Sequence, residues 1–468
     1  MKVEQIYTGC LAEAAYYIES DGEVAIIDPL RETKPYIEKA QADGAKIKYV
    51  LETHFHADFV SGHIDLAKES GATIVYGPTA EPNFEVHVAQ DGEVLTLGRA
   101  KIKVLHTPGH TMESSTFLLI DEEGNDYGIF TGDTLFIGDV GRPDLAVKTD
   151  LSREDLAGHL YDSIRNKIMP LADSVIVYPG HGAGSACGKM MSEETIDTLG
   201  HQKKVNYALQ EMSREDFVKK VTDGLVAPPQ YFPKNAVMNK MGYDSIDEVL
   251  QRGTVELELD EFLSYGDQGA LIIDTRTKEE FVKGFIPGSI FIGVDDNFAP
   301  WLGALVTDLK QPILLIADEG REEEIVTRMS RVGYDNALGF LKGGFKTWKD
   351  SGMDQDRIEE LEPSSLEYLM KENGNFKLLD VRKTSEFESE HVVGSESFPL
   401  DFINSNMDKL SKDEIYLVYC KGGYRAVIAL SILKARGYHN VKNIQGGFDA
   451  IKETGIQVSE YKEPSTML

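Results

Sequence analysis

The run Thr53-His54-Phe55-His56-Ala57-Asp58-Phe59-Val60-Ser61-Gly62-His63 sets two histidines and an aspartate at alternate positions behind an apolar stretch. Neutral imidazole and carboxylate are the usual ligands of a divalent metal, and such a cluster is costly to hold unless it binds something. Phe59, directly after the aspartate, is the odd member, because a phenyl ring has no donor atom. A second stretch able to do chemistry is Cys420-Lys421-Gly422-Gly423-Tyr424-Arg425. It follows the strand-like residues 415–419 and precedes the helix-like residues 426–430. A cysteine there stands among unpaired backbone N–H groups, and these and the helix dipole favour the thiolate. Gly422 and Gly423 let the loop curl around the sulfur, and Lys421 and Arg425 add positive charge. The setting suits a nucleophilic sulfur that meets an anion.

The elements that must position the first cluster share one pattern. Residues 23–29 read as a buried strand stopped by Pro29, and residues 48–52 as another, with His54 just beyond. Residues 101–106 lead to Gly109-His110, residues 127–131 lead into Asp133, and residues 174–178 lead through Pro179-Gly180 to His181. Strands lying side by side and pointing the same way would bring these loops to one rim, where a rigid sheet holds functional residues. One such residue would merely cap a strand. Four strands delivering His54, His110, Asp133 and His181 mark a site. A helix is expected from about Asp150, with Ser152 and Asp155 spaced as a capping box and Leu156, Leu160, Ile164 and Ile168 on one apolar face. Cys187, just past His181, is a substrate-channel position, and Cys10 reads as a packing residue.

The chain has 468 residues, which at roughly 150 per domain gives about three domains. Its 48 basic and 78 acidic residues leave a net charge of −30, which disfavours nucleic acid and anionic membranes as partners. No apolar run reaches the ~18 residues of a membrane span, and the N-terminus lacks a signal pattern. Cys10, Cys187 and Cys420 are far apart and form no CxxC, so a reducing cytoplasm is the expected compartment.

Residues 1–210 hold the metal-type residues, and residues 211–255 read as a helical tail and connector. The remainder repeats itself over 256–356 and 357–468. Asp274-Thr275-Arg276, Glu280-Phe281 and Gly343-Gly344-Phe345 in one copy answer Asp380-Val381-Arg382, Glu386-Phe387 and Gly446-Gly447-Phe448 in the other. Strands alternating with helices predict two small α/β domains with mostly parallel sheets.

The Cys420–Arg425 loop, with Asp380-Val381-Arg382 and Gly446-Gly447-Phe448, resembles the rhodanese family of sulfurtransferases. The resemblance implies that Cys420 carries a persulfide cradled by the loop amides. In the earlier copy, after Leu314-Leu315-Ile316-Ala317, the chain reads Asp318-Glu319-Gly320-Arg321-Glu322 where the cysteine should stand. That copy is expected to keep the fold without the activity and to serve spacing, docking or the shape of the substrate entrance.

His54, His56, Asp58, His110, Asp133 and His181, in this order, resemble the metallo-β-lactamase superfamily. The implied architecture is α/β and multidomain: an N-terminal αββα sandwich with the metal at one edge, followed by two α/β rhodanese-like domains. Superfamily hydrolases typically bind two zinc ions and have a histidine where this chain has Phe59. The persulfide dioxygenase branch holds one non-haem Fe(II), a metal suited to two histidines, a carboxylate and open positions. By that resemblance His54, His110 and Asp133 are the ligands, and His56, Asp58 and His181 support them. Arg142, in Gly141-Arg142-Pro143-Asp144, then either holds an anionic part of the thiol carrier or forms a structural salt bridge.

Together these resemblances imply a persulfide dioxygenase–sulfurtransferase fusion that detoxifies sulfide. It would turn a low-molecular-weight thiol persulfide and O2 into sulfite, and use Cys420 to make thiosulfate. A homo-oligomer is expected. The rival readings are a zinc-dependent thioester hydrolase of the glyoxalase II type and a persulfide carrier or sensor without oxidation.

Overall fold

The computed structural model describes residues 1–145, 151–372, 374–463 and 466. The chain divides into two compact units. One is Met1–Ile246, with which Ser330–Gly333 groups, and the other comprises Asp247–Met329 and Tyr334–Ser465.

The first unit is built on two six-stranded sheets. One runs in chain order from Lys2–Thr8 to His87–Val88 and turns from antiparallel to parallel at Glu23–Ile27 and Lys46–Glu52. The other has the order Asp197–Thr198, Ile176–Pro179, Asp126–Gly132, Ser115–Ile120, Ala100–His106, Val94–Leu97. Alternate side chains of both sheets meet between them, as strand periodicity requires. Tyr16, Ile18, Ile27, Leu51 and Val75 come from one face, and Ile102, Val104, Phe117, Leu119 and Phe130 from the other. Helices cover the outer faces. Tyr36, Ala40 and Leu66 pack on Tyr17, Val24, Ile26 and Val50, while Leu160, Ile164 and Ile168 pack on Leu118, Ile129 and Val177. The result is the expected αββα sandwich.

The helix Arg153–Ser163 has the expected capping box, since the Ser152 hydroxyl accepts from Asp155 N and the Asp155 carboxylate accepts from Ser152 N. It continues as a π turn over Ile164–Ile168, so the predicted apolar face is buried to its end. Asp150, the expected starting point, lies outside the described residues.

Residues 211–246, expected as a helical tail and connector, pack with the metal-bearing unit. Arg214–Thr222 buries Phe217 and Val221 against the sandwich, and Phe232–Met241 lies along the histidine loop. This segment is part of the metal-bearing unit through Ile246.

The second unit holds two five-stranded, wholly parallel sheets of the same topology. Their central strands are Ile313–Ile316 and Tyr416–Tyr419. In each, the Asp-x-Arg triplet forms one device. Arg276 makes a forked ion pair with Asp274 and lies 4.1 Å over Phe345, and Arg382 does the same with Asp380, 4.0 Å over Phe448. The recurring motif is therefore a buried guanidinium with its charge neutralised by aspartate and its face packed on an aromatic ring.

Candidate active sites

Parallel neighbours end at the same rim, and this brings the metal-type residues together. Glu23–Ile27 and Lys46–Glu52 are paired with Ile27 opposite Leu51, so Asp28 and Thr53 leave the sheet side by side. Asp126–Gly132 and Ile176–Pro179 are parallel too, and deliver Asp133 and His181. His110 reaches the same place from the loop after Ala100–His106.

His54, His110 and Asp133 converge, all almost fully buried. His54 Nε2 is 3.9 Å and His110 Nε2 3.3 Å from Asp133 Oδ2. A metal with bonds of about 2.1 Å needs donor atoms spaced by about 3 Å or slightly more. Both His54 Nε2 and Asp133 Oδ2 lack any hydrogen-bond partner, although buried polar atoms are rarely left unpaired. Two nitrogens and a carboxylate oxygen suit iron or zinc, so these residues fit the expected metal.

Their neighbours fix which atom faces the metal. Thr53 Oγ1 donates to Asp28 Oδ2 at 2.8 Å, so at 3.0 Å it accepts from His54 Nδ1, and the lone pair of His54 is on Nε2. His110 Nδ1 donates to the Arg142 carbonyl at 2.8 Å, with the same consequence. Burial and the surrounding imidazoles hold His54 well below the ordinary histidine range, so it is neutral and able to ligate. Burial alone would raise the Asp133 carboxyl, but His181 and His110 outweigh it and hold it low. A Cβ on Gly141 would stand 1.9 Å from the Asp133 carbonyl oxygen and 3.0 Å from His110 Nδ1, so this close approach requires glycine.

The supporting residues are arranged as a chain. His181 donates from Nδ1 to Asp133 Oδ1 and from Nε2 to Asp58 Oδ2, both at 2.7 Å. Burial opposes a charge there, but the two carboxylates prevail and keep His181 protonated well above its usual range. His56 turns the other way, with Nε2 at 3.0 Å from Asp28 Oδ1 and its ring 4.3 Å from that of Phe59. Cys187 is buried, its sulfur close to Asp58 and His181, and burial followed by the nearby Asp58 and Asp133 pushes its thiol well up.

Arg142 makes the salt bridge of one of its two readings. Its guanidinium is buried and forked onto Asp144 at 2.7 and 2.8 Å, and it also donates to the carbonyls of Ala186 and Val226. This is the structural salt bridge of the two readings. Arg142 also serves the site through its backbone carbonyl, which accepts from His110 Nδ1.

The sequence reading passes over Asp28, Thr53 and Asn239. Asp28 accepts from Thr53 N at 2.8 Å as well as from its hydroxyl. It stands in the left-handed region at φ 49°, a conformation that non-glycine residues seldom hold without a reason. Asn239 donates to the carbonyls of His56 and Phe59 and accepts from Ser61 N, clamping the histidine loop. Asp28 carries the same signal as the others, a carboxylate just past a buried strand. Asn239 carries none, because its partners lie about 180 residues away.

The second site lies where Tyr416–Tyr419 meets the helix Tyr424–Ala435. Cys420 is buried at the strand end, and Gly423 N donates to its sulfur at 3.1 Å. Arg425 is half-buried and forked onto Glu386, which holds its charge beside the sulfur. Lys421 and Gly422 are exposed at the mouth. Gly447 lies so close that a Cβ would sit 2.4 Å from the Cys420 carbonyl oxygen.

The earlier copy differs by one residue from the sequence expectation. Asp274 pairs with Ile316 as Asp380 pairs with Tyr419, so Ala317, not Asp318, occupies the position of Cys420. Gly344 confirms the register, since its Cβ would face the Ala317 carbonyl as that of Gly447 faces Cys420. Asp318, Glu319 and Glu322 line the cleft beyond.

A buried His–His–Asp set at the rim of a two-sheet αββα sandwich defines a metal-dependent enzyme fold, here joined to two parallel-sheet domains. The metallo-β-lactamase superfamily model matches residues 8–181, and the rhodanese-like domain model matches residues 258–351 and 362–454. The chain belongs to the metallo-β-lactamase superfamily and carries two rhodanese-like domains. It is 30% identical over 200 residues to the human mitochondrial persulfide dioxygenase ETHE1, a match covering 42% of this chain and 70% of that protein. It is 31% identical over 181 residues to a probable hydroxyacylglutathione hydrolase of Schizosaccharomyces pombe, covering 38% of this chain and 66% of the other. A metallo-β-lactamase structure from Staphylococcus aureus matches with a TM-score of 0.64 at 33% identity, over 73% of this chain and 98% of that one. Among the described residues no helix is long and apolar enough to cross a membrane.

Proposed function

We propose that the protein oxidises a low-molecular-weight thiol persulfide with O2 at one Fe(II) and transfers sulfane sulfur through Cys420. The observation that carries this reading is how the metal-type residues are partnered. His54, His110 and Asp133 converge, with His54 Nε2 and Asp133 Oδ2 unpartnered, whereas both nitrogens of His181 are taken by Asp58 and Asp133. Phe59 supplies no further ligand. This arrangement supports a single metal held by two histidines and a carboxylate.

Iron bound there would supply open positions for persulfide and O2 and the redox chemistry that joins them. The chain's residues do the rest. Thr53 and the Arg142 carbonyl keep the ligand nitrogens unprotonated and aimed. His181 holds protons on Nδ1 and Nε2, between Asp133 and Asp58. In balance, R–S–SH, O2 and water give R–SH, sulfite and two protons. At the second site the Cys420 thiolate attacks the outer sulfur of another persulfide, releasing the thiolate R–S⁻. Sulfite then takes that sulfur as thiosulfate and frees the Cys420 thiolate. Splitting the transfer into two displacements is the ordinary gain of covalent catalysis.

A zinc thioester hydrolase is the second reading. It draws on the hydroxyacylglutathione hydrolase relative and on the grouping of Asp58, His181 and Cys187, which could surround a second ion. Phe59, which supplies no ligand where the superfamily hydrolases have a histidine, and the sulfurtransferase-type Cys420 loop in the same chain weigh against it.

Cys420→Ser tests the division of labour. Oxygen uptake should persist while the product shifts from thiosulfate to sulfite, and an unchanged thiosulfate yield would refute the scheme.

A further inference from the structure

Lys278 belongs to the domain that lacks the cysteine, yet its ammonium lies at the mouth of the Cys420 loop. Its Nζ donates to the Gly422 carbonyl at 3.4 Å, and a Cβ on Gly423 would sit 3.5 Å from it. The side chain is 30% exposed, so the charge faces both the loop and solvent. The placement is built, not incidental. Tyr424, the first residue of the helix behind the loop, donates its hydroxyl to the Gly293 carbonyl at 3.2 Å and packs edge-on against Phe291 at 5.6 Å. Two turns further on, Ser431 Oγ accepts from Phe291 N at 3.0 Å. Lys278 itself follows Arg276, which Asp274 pins in place. Glu279 Oε1 is 3.5 Å from the ammonium, and Asp296 is near enough to feel its charge and to act on Tyr424, so the ammonium reaches the Gly422 carbonyl with carboxylates beside it.

We infer that Lys278 is a positioning residue for the anionic sulfur acceptor at Cys420, and that the cysteine-less domain is retained to supply it. The inference rests on the sulfur-transfer reading above. Sulfite approaching the outer sulfur of a Cys420 persulfide must pass an exposed loop in a protein with a net charge of −30. Within the loop, Arg425 is forked onto Glu386, and Lys421 and Lys278 place further cations at the entrance. A fixed cation beside the path favours a doubly negative acceptor and does nothing for a neutral one.

The test uses the full chain with Lys278→Gln, Lys278→Glu and Lys278→Arg, and two readouts. The first is alkylation of Cys420, followed on its own peptide, by anionic iodoacetate and neutral iodoacetamide. Lys278→Gln should slow iodoacetate about threefold, the effect of one partly screened charge, with iodoacetamide unchanged. Lys278→Glu should slow iodoacetate further, Lys278→Arg should restore it, and raised salt should erase the difference. The second readout is sulfur transfer. The KM for sulfite should rise several-fold in Lys278→Gln, with kcat and transfer to a neutral thiol unchanged. Equal effects on charged and neutral reagents, or none, would overturn the inference while leaving the function of Cys420 standing. If the native protein moves no sulfur to sulfite, the functional reading fails, and the role assigned to Lys278 fails with it.

Discussion

Thr53 joins two buried groups through one hydroxyl, donating to Asp28 and accepting from His54 Nδ1. Thr53→Val keeps the shape and removes both bonds. Loss of a partner behind a metal-ligating histidine typically weakens metal binding about 10–100-fold, and a chelator competition should show a fall in that range. An unchanged affinity would mean that packing alone orients His54. The ligands themselves are legible in the sequence, because His54, His110 and Asp133 each follow an apolar strand and need no distant information to be noticed. The residues that set their tautomers are less so. Reading Asp28-Pro29 as a strand stop accounts for the proline and overlooks the carboxylate beside it. For Arg142 the tetrapeptide leaves two readings open, and only the folded chain shows its guanidinium forked onto Asp144 two residues on.

At the scale of elements, two results come from strand register and helix docking, which local sequence patterns do not specify. Register assigns Ala317 to the position of Cys420, one residue before the place that a motif comparison suggests. Ala317→Cys in a Cys420→Ser background should therefore put a thiol at the end of the strand without restoring sulfur transfer. Asp318 and Glu319, the two residues directly after it, should hold that thiol above the ordinary value of about 8.5, against the pull of the lysines that also line the cleft. Its alkylation measured against pH would check this, and a thiolate formed at neutral pH would contradict it. The helix Phe232–Met241 gives the second result, because Asn239 satisfies three backbone groups of the histidine loop. Asn239→Ala leaves those groups buried and unpaired, at a cost of about 1–3 kcal/mol. Denaturant unfolding should show that loss together with weaker metal binding. A variant as stable as the native chain would indicate that water replaces the amide. The αββα sandwich and the paired parallel sheets were legible because strand runs, caps and the doubled Asp-x-Arg and Gly-Gly-Phe signals are local. The docking of residues 211–246 on the sandwich is not local, since only long-range packing reveals where a helical tail sits.

For the whole molecule, the proposed function gives two chemistries a reason to share one chain, because one makes what the other consumes. A metal centre that yields sulfite and a cysteine that gives sulfur to sulfite gain from being tethered, since tethering raises the local concentration without any new contact. The acidic balance of the chain makes the local cations at the Cys420 loop more significant, because they stand out from the surrounding field. The relatives include a persulfide dioxygenase and a probable hydroxyacylglutathione hydrolase. Reconstituting the protein with iron or with zinc, then offering each form a thiol persulfide and a hydroxyacyl thioester, separates the two readings directly. The account predicts that the iron form consumes one O2 per persulfide oxidised, with one metal per chain, and that neither form hydrolyses the thioester. Thioester hydrolysis by the zinc form without oxygen uptake by the iron form would contradict it.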